Sequence, residues 1–153
     1  MSVIQLLNNS GVKYEVLHHN PAYTAQKMAA EEKEPGKYVA KPVVVKADGK
    51  FVMCVLPAHL KVDFDKLKKQ LSVSKVILAD ESELAEQCKD CETGAEPPFG
   101  NLYNMETVMD RTLEEDDHIL FQAGSHEEAI KMGLSDYKRL AKPRILEFSY
   151  RDS

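Results

Sequence analysis

The chain is poor in cysteine and has no long apolar run and no phosphate-cradling glycine loop, and each shortage removes a class of protein. Three cysteines in 153 residues are an odd number and do not make a disulfide framework. The longest uncharged stretch, residues 51–60, is interrupted by Pro57 and is too short to span a bilayer, so no membrane partner is expected. The start, Met1-Ser2-Val3-Ile4-Gln5, lacks the basic region and apolar run of a secretory signal, so a cytoplasmic location is expected. No P-loop or dinucleotide fingerprint is present, and nothing around any serine resembles a nucleophile elbow. The five histidines form no ligand signature, so neither a metal nor a cofactor is expected. Repeats and low-complexity tracts are missing as well.

What is present is ordinary in bulk, with 43% hydrophobic and 29% charged residues, and the length suits one domain over residues 1–153. The formal charge of −5 argues against a broadly basic coat for nucleic acid, so DNA is not expected as a partner. A local basic patch remains compatible with that balance.

Apolar periodicity and turn residues predict short elements throughout. A helix is expected over residues 3–9, stopped by Ser10-Gly11, then a strand over 14–17. Thr24 suits the cap of a helix over 25–32 that Pro35-Gly36 ends. Two β-branched runs, residues 38–46 and 51–56, flank Asp48-Gly49, the strongest short-range hairpin signal a sequence carries. Asp63 caps a helix through Leu71, residues 76–79 read as a strand, and Asp80 with Glu83 has capping-box spacing before a helix to about Gln87. Residues 107–109 and 118–121 read as strands joined by an acidic turn. Ser125 and Glu128 repeat the capping-box spacing before an expected helix through Met132. Ser135 is expected to cap a last helix over 136–141, before Pro143 and a final strand over 145–148. Adjacent hairpins imply mostly antiparallel pairing, hence an α+β domain rather than a doubly wound sheet.

Four features could carry chemistry. Lys41 heads the first arm of the hairpin, where a rigid element would hold it; on spacing alone the favoured reading is a solvated lysine at a strand mouth. Cys88-Lys89-Asp90-Cys91 has redox spacing, but it falls at the expected C-terminal end of a helix, where the dipole works against a thiolate. Gly94-Ala95-Glu96-Pro97-Pro98-Phe99-Gly100 has backbone freedom at both ends and rigid prolines between, which suits either a fixed wall beside a ligand or a tight structural turn. The stretch Phe121-Gln122-Ala123-Gly124-Ser125-His126 is expected to leave a strand for a capped helix, whose first N–H groups could bind an anion or a carbonyl oxygen.

Together these places give the chain a likeness. With Tyr38-Val39-Ala40-Lys41 before a valine run, the GxxxP loop at Gly94 to Pro98, and Ala123-Gly124-Ser125-His126, it resembles the YbaK/EbsC group, the domain related to the editing insertion of bacterial prolyl-tRNA synthetases. The likeness runs from His19-Asn20-Pro21-Ala22 to Phe148. It implies one α+β domain with a curved, mostly antiparallel sheet surrounded by helices. It implies hydrolysis, in trans, of tRNA mischarged with a small amino acid such as Ala, Cys, Ser or Thr. By the same resemblance Lys41 is the key polar group of the pocket, and Tyr38, Gly94, Pro97, Pro98, Phe99, Gly100, Gly124, Ser125 and His126 bind substrate around it. Some members use the substrate's own ribose hydroxyl or thiol in place of a protein nucleophile, and no nucleophile is evident here. Lys41 could hold a terminal phosphate or ribose, or move a proton if burial lowers its pKa.

The chain departs from many relatives at Pro42, where they carry a small polar residue, and at Ser125, where threonine is common. The implied partners are the acceptor end of aminoacyl-tRNA and an aminoacyl-tRNA synthetase. Lys66, Lys68, Lys69 and Lys75, and separately Lys138, Arg139, Lys142 and Arg144, are candidates for the acceptor stem or else solvated helix faces. The competing readings are a non-catalytic module that binds tRNA, a synthetase or a small aminoacyl ligand, and a redox protein working through Cys88 and Cys91.

Overall fold

The turn at Asp48-Gly49 organises the larger sheet. Both residues are left-handed, with φ of 48° and 85°, the twist a two-residue hairpin needs. Strand β2 (Ala40–Ala47) therefore pairs antiparallel with β3 (Lys50–Pro57) along its whole length, from Ala47 opposite Lys50 to Ala40 opposite Pro57. The computed structural model describes residues 1–18 and 36–151. The helix expected over 25–32 and the His19-Asn20-Pro21-Ala22 stretch lie outside the described residues.

Around the hairpin a five-stranded mixed sheet runs in the order β5-β2-β3-β6-β9. Strand β5 (Val76–Leu78) is antiparallel to β2, whereas β6 (Glu106–Asp110) and β9 (Arg144–Leu146) continue parallel beyond β3. A second, three-stranded antiparallel sheet has β8 (Glu128–Gly133) between β1 (Tyr14–His18) and β7 (His118–Gln122). Strands β4 (Lys61–Val62) and β10 (Ser149–Tyr150) form a third pair. Four α-helices lie among the described residues: α1 (Val3–Ser10), α2 (Phe64–Leu71), α3 (Glu81–Gln87) and α4 (Leu134–Ala141). None is long and apolar enough to cross a membrane. The α+β, mostly antiparallel architecture is the expected one.

Alternation along β3 explains the layers. Met53 and Val55 point into a core shared with α1, α4, β7 and β8, while Val52, Cys54 and Leu56 point into a second core under Leu67 of α2 and Phe148. Both faces of the strand are covered, which is why residues 51–56 read as a continuous apolar run.

Four expectations fail. Residues 128–132 are strand, not helix: β8 bonds to neighbours on both sides, satisfying N–H and C=O groups that a helix this short would leave half unpaired. Ser125 Oγ takes the Glu127 N–H, one residue short of a box, and the Ala123 N–H meets the Glu128 carbonyl to close a β7–β8 hairpin. Helix α4 starts at Leu134 with Gly133 as its cap, so Ser135 lies inside it. The strand expected over 145–148 ends at Leu146 and is followed by β10, and β6 and β7, joined by a 3₁₀ turn over Arg111–Glu115, enter different sheets instead of pairing.

The chain end is held by one buried carboxylate. Asp110, 1% exposed, accepts the N–H groups of Phe148 at 2.9 Å and Ser149 at 3.1 Å, the Ser149 hydroxyl at 2.8 Å and the Thr112 hydroxyl at 2.5 Å. Asp110→Ala strands these donors and is expected to lower unfolding stability by about 3 kcal/mol, read as a lower urea midpoint with unchanged slope.

Candidate active site

Lys41 stands second in β2, opposite Leu56. Its ammonium donates to the Ala58 carbonyl at 3.2 Å, and among the described residues no carboxylate pairs with it. Burial first, and the nearby charge of Lys61 second, hold its pKa below the usual lysine range. Just upstream, a 3₁₀ turn over Gly36–Tyr38 ends with the Tyr38 ring stacked on His118, centroids 4.3 Å apart and planes within 9°. Val39 then forms a parallel bridge with Leu120. Parallel pairing makes the two chains leave the bridge in one direction, β2 towards Lys41 and β7 towards Gln122 and the Gly124 turn.

That turn and the GxxxP loop are clasped together. The Glu92 N–H donates to the Gly124 carbonyl at 2.8 Å, and the Gly124 N–H returns a bond to the Ala95 carbonyl at 2.9 Å. The buried His126 ring holds the Thr93 carbonyl at 3.0 Å through Nε2, which is therefore the protonated nitrogen, and the His126 N–H lies 3.4 Å from a Glu92 carboxylate oxygen. Gly94 and Gly124, with φ of 92° and 100°, give both chains the left-handed bends this approach requires. Both Glu96 oxygens accept the Gly94 N–H, at 2.8 and 3.0 Å; burial pushes the carboxyl up from its ordinary pKa, against those bonds and the charge of His126. Next to the clasp, the Ser125 N–H has no acceptor among the described residues.

The other expected site residues divide by burial. Pro97, Pro98, Phe99 and Gly100 are all buried. Phe99 packs edge-on against Phe121 and Tyr137, at 5.6 and 5.0 Å, and the Tyr137 hydroxyl donates to the Pro98 carbonyl. Gly100 gives its N–H to Thr107 Oγ1 at 2.8 Å, and a Cβ there would fall 2.5 Å from the same oxygen. These four anchor the loop to the core, whereas Gly94, Gly124 and Ser125 lie nearer the surface. Since β8 replaces the expected helix, an anion site at a helix N-terminus does not exist here. Sequence reasoning passed over the roles of Glu92 and Glu96; the only signal was an acid two residues to either side of Gly94.

Cys88 caps the C-terminus of α3, and the Cys91 N–H reaches back to the Cys88 carbonyl at 3.3 Å. Burial pushes the Cys88 thiol up to about 12 and the Cys91 thiol, 3.0 Å from the Tyr103 hydroxyl, to about 11. Cys54, buried in β3, is likewise pushed up to about 12. Such thiols ionise only well above neutrality, the reverse of a redox pair. In the folded protein at pH 8, alkylation of all three by iodoacetamide is expected to run about a hundredfold or more slower than that of free cysteine, checked by mass spectrometry.

Known proteins share this fold and much of this sequence pattern. The chain is 26% identical over 151 residues to the Multifunctional Ser/Thr-tRNA deacylase ProXp-y of Escherichia coli (strain K12), covering 95% of this chain and 90% of that one. It is 24% identical over 147 residues to the Prolyl-tRNA editing protein ProX of Acetoanaerobium sticklandii, covering 92% and 89%. Among solved structures, a hypothetical protein superposes with a TM-score of 0.87 at 19% identity, over 97% of this chain and 99% of that one. A candidate trans-editing enzyme for prolyl tRNA synthetase superposes at 0.80 and 16%, over 99% and 95%. With residues 19–140 matching the family model described as the aminoacyl-tRNA editing domain, the chain belongs to that family.

Proposed function

We infer that this protein hydrolyses, in trans, the ester bond of tRNA mischarged with a small amino acid, among Ala, Cys, Ser and Thr. The observation that carries the reading is Lys41: a half-buried ammonium with no carboxylate partner among the described residues, on a rigid strand that runs towards two clasped glycine turns. A lysine buried without a counter-ion is costly unless a ligand supplies the missing anion, and the 3′ end of tRNA brings phosphate and ribose oxygens. In ester hydrolysis negative charge develops on the carbonyl oxygen, and donors must be aimed there beforehand. The Ser125 N–H suits that role, because the bonds through Gly124 fix its direction while leaving it without an acceptor among the described residues. Tyr38, Gly94 and His126 shape the surroundings in this reading, His126 by holding Thr93. The attacking group is a water or a hydroxyl or thiol of the substrate. The relatives named as deacylase and editing protein, matched along most of their length, support the editing activity; in this reading the protein acts in trans in the cytoplasm, with a synthetase as a further partner.

The test is a deacylation panel covering several tRNA and amino-acid pairs. Wild-type protein is expected to clear at least one small mischarged amino acid. Lys41→Ala is expected to lose about a hundredfold or more in kcat/KM while its melting curve stays within a few degrees of wild type. A panel left wholly intact, or a Lys41→Ala variant with full activity, sinks the reading; saturable binding without turnover would identify a non-catalytic module instead.

A further inference from the structure

Three peptide units fix the Ser125 N–H, and one carboxylate stands behind two of them. The Thr93–Gly94 peptide is gripped at both ends: the Glu96 carboxylate takes its N–H, at 2.8 and 3.0 Å, and the His126 ring holds its carbonyl at 3.0 Å. The Ala95–Glu96 peptide repeats the pattern, its N–H bonded to the Glu96 carboxylate and its carbonyl taking the Gly124 N–H at 2.9 Å. The Gly124–Ser125 peptide is then held through its own carbonyl, which accepts the Glu92 N–H at 2.8 Å. A peptide is planar, so a bond at its carbonyl also orients the N–H on its far side. The direction of the Ser125 N–H thus depends on how Gly124 is held, and Gly124 hangs on the Ala95 carbonyl.

Packing alone does not call for a carboxylate at this place. Glu96 is 3% exposed, and its neighbours Ala95, Pro97 and Pro98 are buried with it. An acid so placed is costly unless its acceptor oxygens are used. Here they turn two N–H groups of the loop inward, so that the Thr93 and Ala95 carbonyls face the Gly124 turn. The negative charge on the N–H side also polarises each peptide and strengthens the bond that its carbonyl accepts. Nearby acids do not compete for this work: the Cys88 and Cys91 thiols, pushed up to about 12 and about 11, stay protonated near neutrality. A leucine in place of Glu96 would fill the space and leave both N–H groups without their acceptor.

We propose that Glu96 is a positioning residue of this site: its carboxylate orients the two peptides that hold His126 and Gly124, and through Gly124 it sets the direction of the Ser125 N–H. This rests on the editing reading, in which that N–H meets the carbonyl oxygen as its charge develops. Glu96 lies behind the clasp and acts through the loop, not on the substrate. Its contribution therefore belongs to the transition state, and its loss lowers kcat while KM stays near the wild-type value.

The test combines deacylation kinetics with amide hydrogen exchange read by NMR, for wild type, Glu96→Leu, Glu96→Gln and Asp110→Ala, at a temperature where each is folded. Glu96→Leu is expected to lose about ten- to hundredfold in kcat with KM within about twofold, and to exchange the Gly124 amide about tenfold faster. Glu96→Gln keeps one accepting oxygen and should fall between Glu96→Leu and wild type in both readouts. Asp110→Ala, destabilised through a carboxylate outside the clasp, should keep the wild-type kcat. An unchanged kcat in Glu96→Leu overturns the proposal whatever its exchange rate, and so does an equal loss of kcat in Asp110→Ala, which would mark a general loss of stability. If Glu96→Leu does not fold, Glu96→Gln decides: lower kcat with faster Gly124 exchange supports the proposal, and wild-type values overturn it. A wild type that deacylates nothing, yet whose Gly124 exchange responds to Glu96, supports the bracing of Gly124 and overturns the editing reading.

Discussion

The pairing of β2 with β3 is the constraint on which the rest of the molecule depends. Its register is set at the Asp48-Gly49 turn, yet its consequence appears at the other end, where Lys41 lies opposite Leu56 and reaches the Ala58 carbonyl. Both faces of β3 are buried, so a slip of one residue would turn Val52, Cys54 and Leu56 out of one core and Met53 and Val55 out of the other. Such a slip costs far more than any local adjustment could recover. The position of a single polar group is therefore maintained by apolar contacts along two strands.

The clasp around Gly124 works differently, since it is built from backbone groups and buried polar side chains. Loops need partners for their N–H and C=O groups wherever water is excluded. Here the two loops supply one another, with Glu92, Ala95 and Gly124 exchanging backbone bonds and His126 taking the Thr93 carbonyl. A buried Glu96 would be unfavourable alone, but it is held by the Gly94 N–H and lies within the field of His126. The core anchors the far end of the loop through Phe99 and the Tyr137–Pro98 bond. Fixing the loop at both ends holds the short segment between them in the left-handed glycine conformation that brings it to the turn.

Two capping-box spacings in this sequence show why local chemistry was legible in one place and misleading in another. Asp80 and Glu83 form the complete box, with bonds in both directions, and open an exposed helix that has no buried residue and competes with nothing. Ser125 and Glu128 have the same spacing, but Ala129, Ile130 and Met132 are buried between two neighbouring strands. Long-range pairing outweighs one cap, and no window of the sequence around Ser125 contains β1. The glycines were legible for a related reason: Gly94 and Gly124 declare a backbone need that other residues meet only with strain. Glu96 and Gln122 were not, because a polar residue becomes a buried one only through tertiary partners. Phe99 and Gly100 were found as members of the loop, while their burial in the core was not foreseen.

The site also explains how an acidic protein can handle a polyanion. Long-range attraction is absent at a net charge of −5, so recognition must come from cations concentrated where the ligand passes. Lys41 is a demanding choice for such a place: burial and Lys61 both act against its charge, and the free protein bears that cost. In the proposed reading an incoming phosphate offsets both effects by supplying the counter-charge. Binding energy is then realised only with a ligand whose anion reaches the strand mouth, and ligands held merely at the surface gain none of it. A lysine fully exposed at the same point would attract more partners and discriminate among them less.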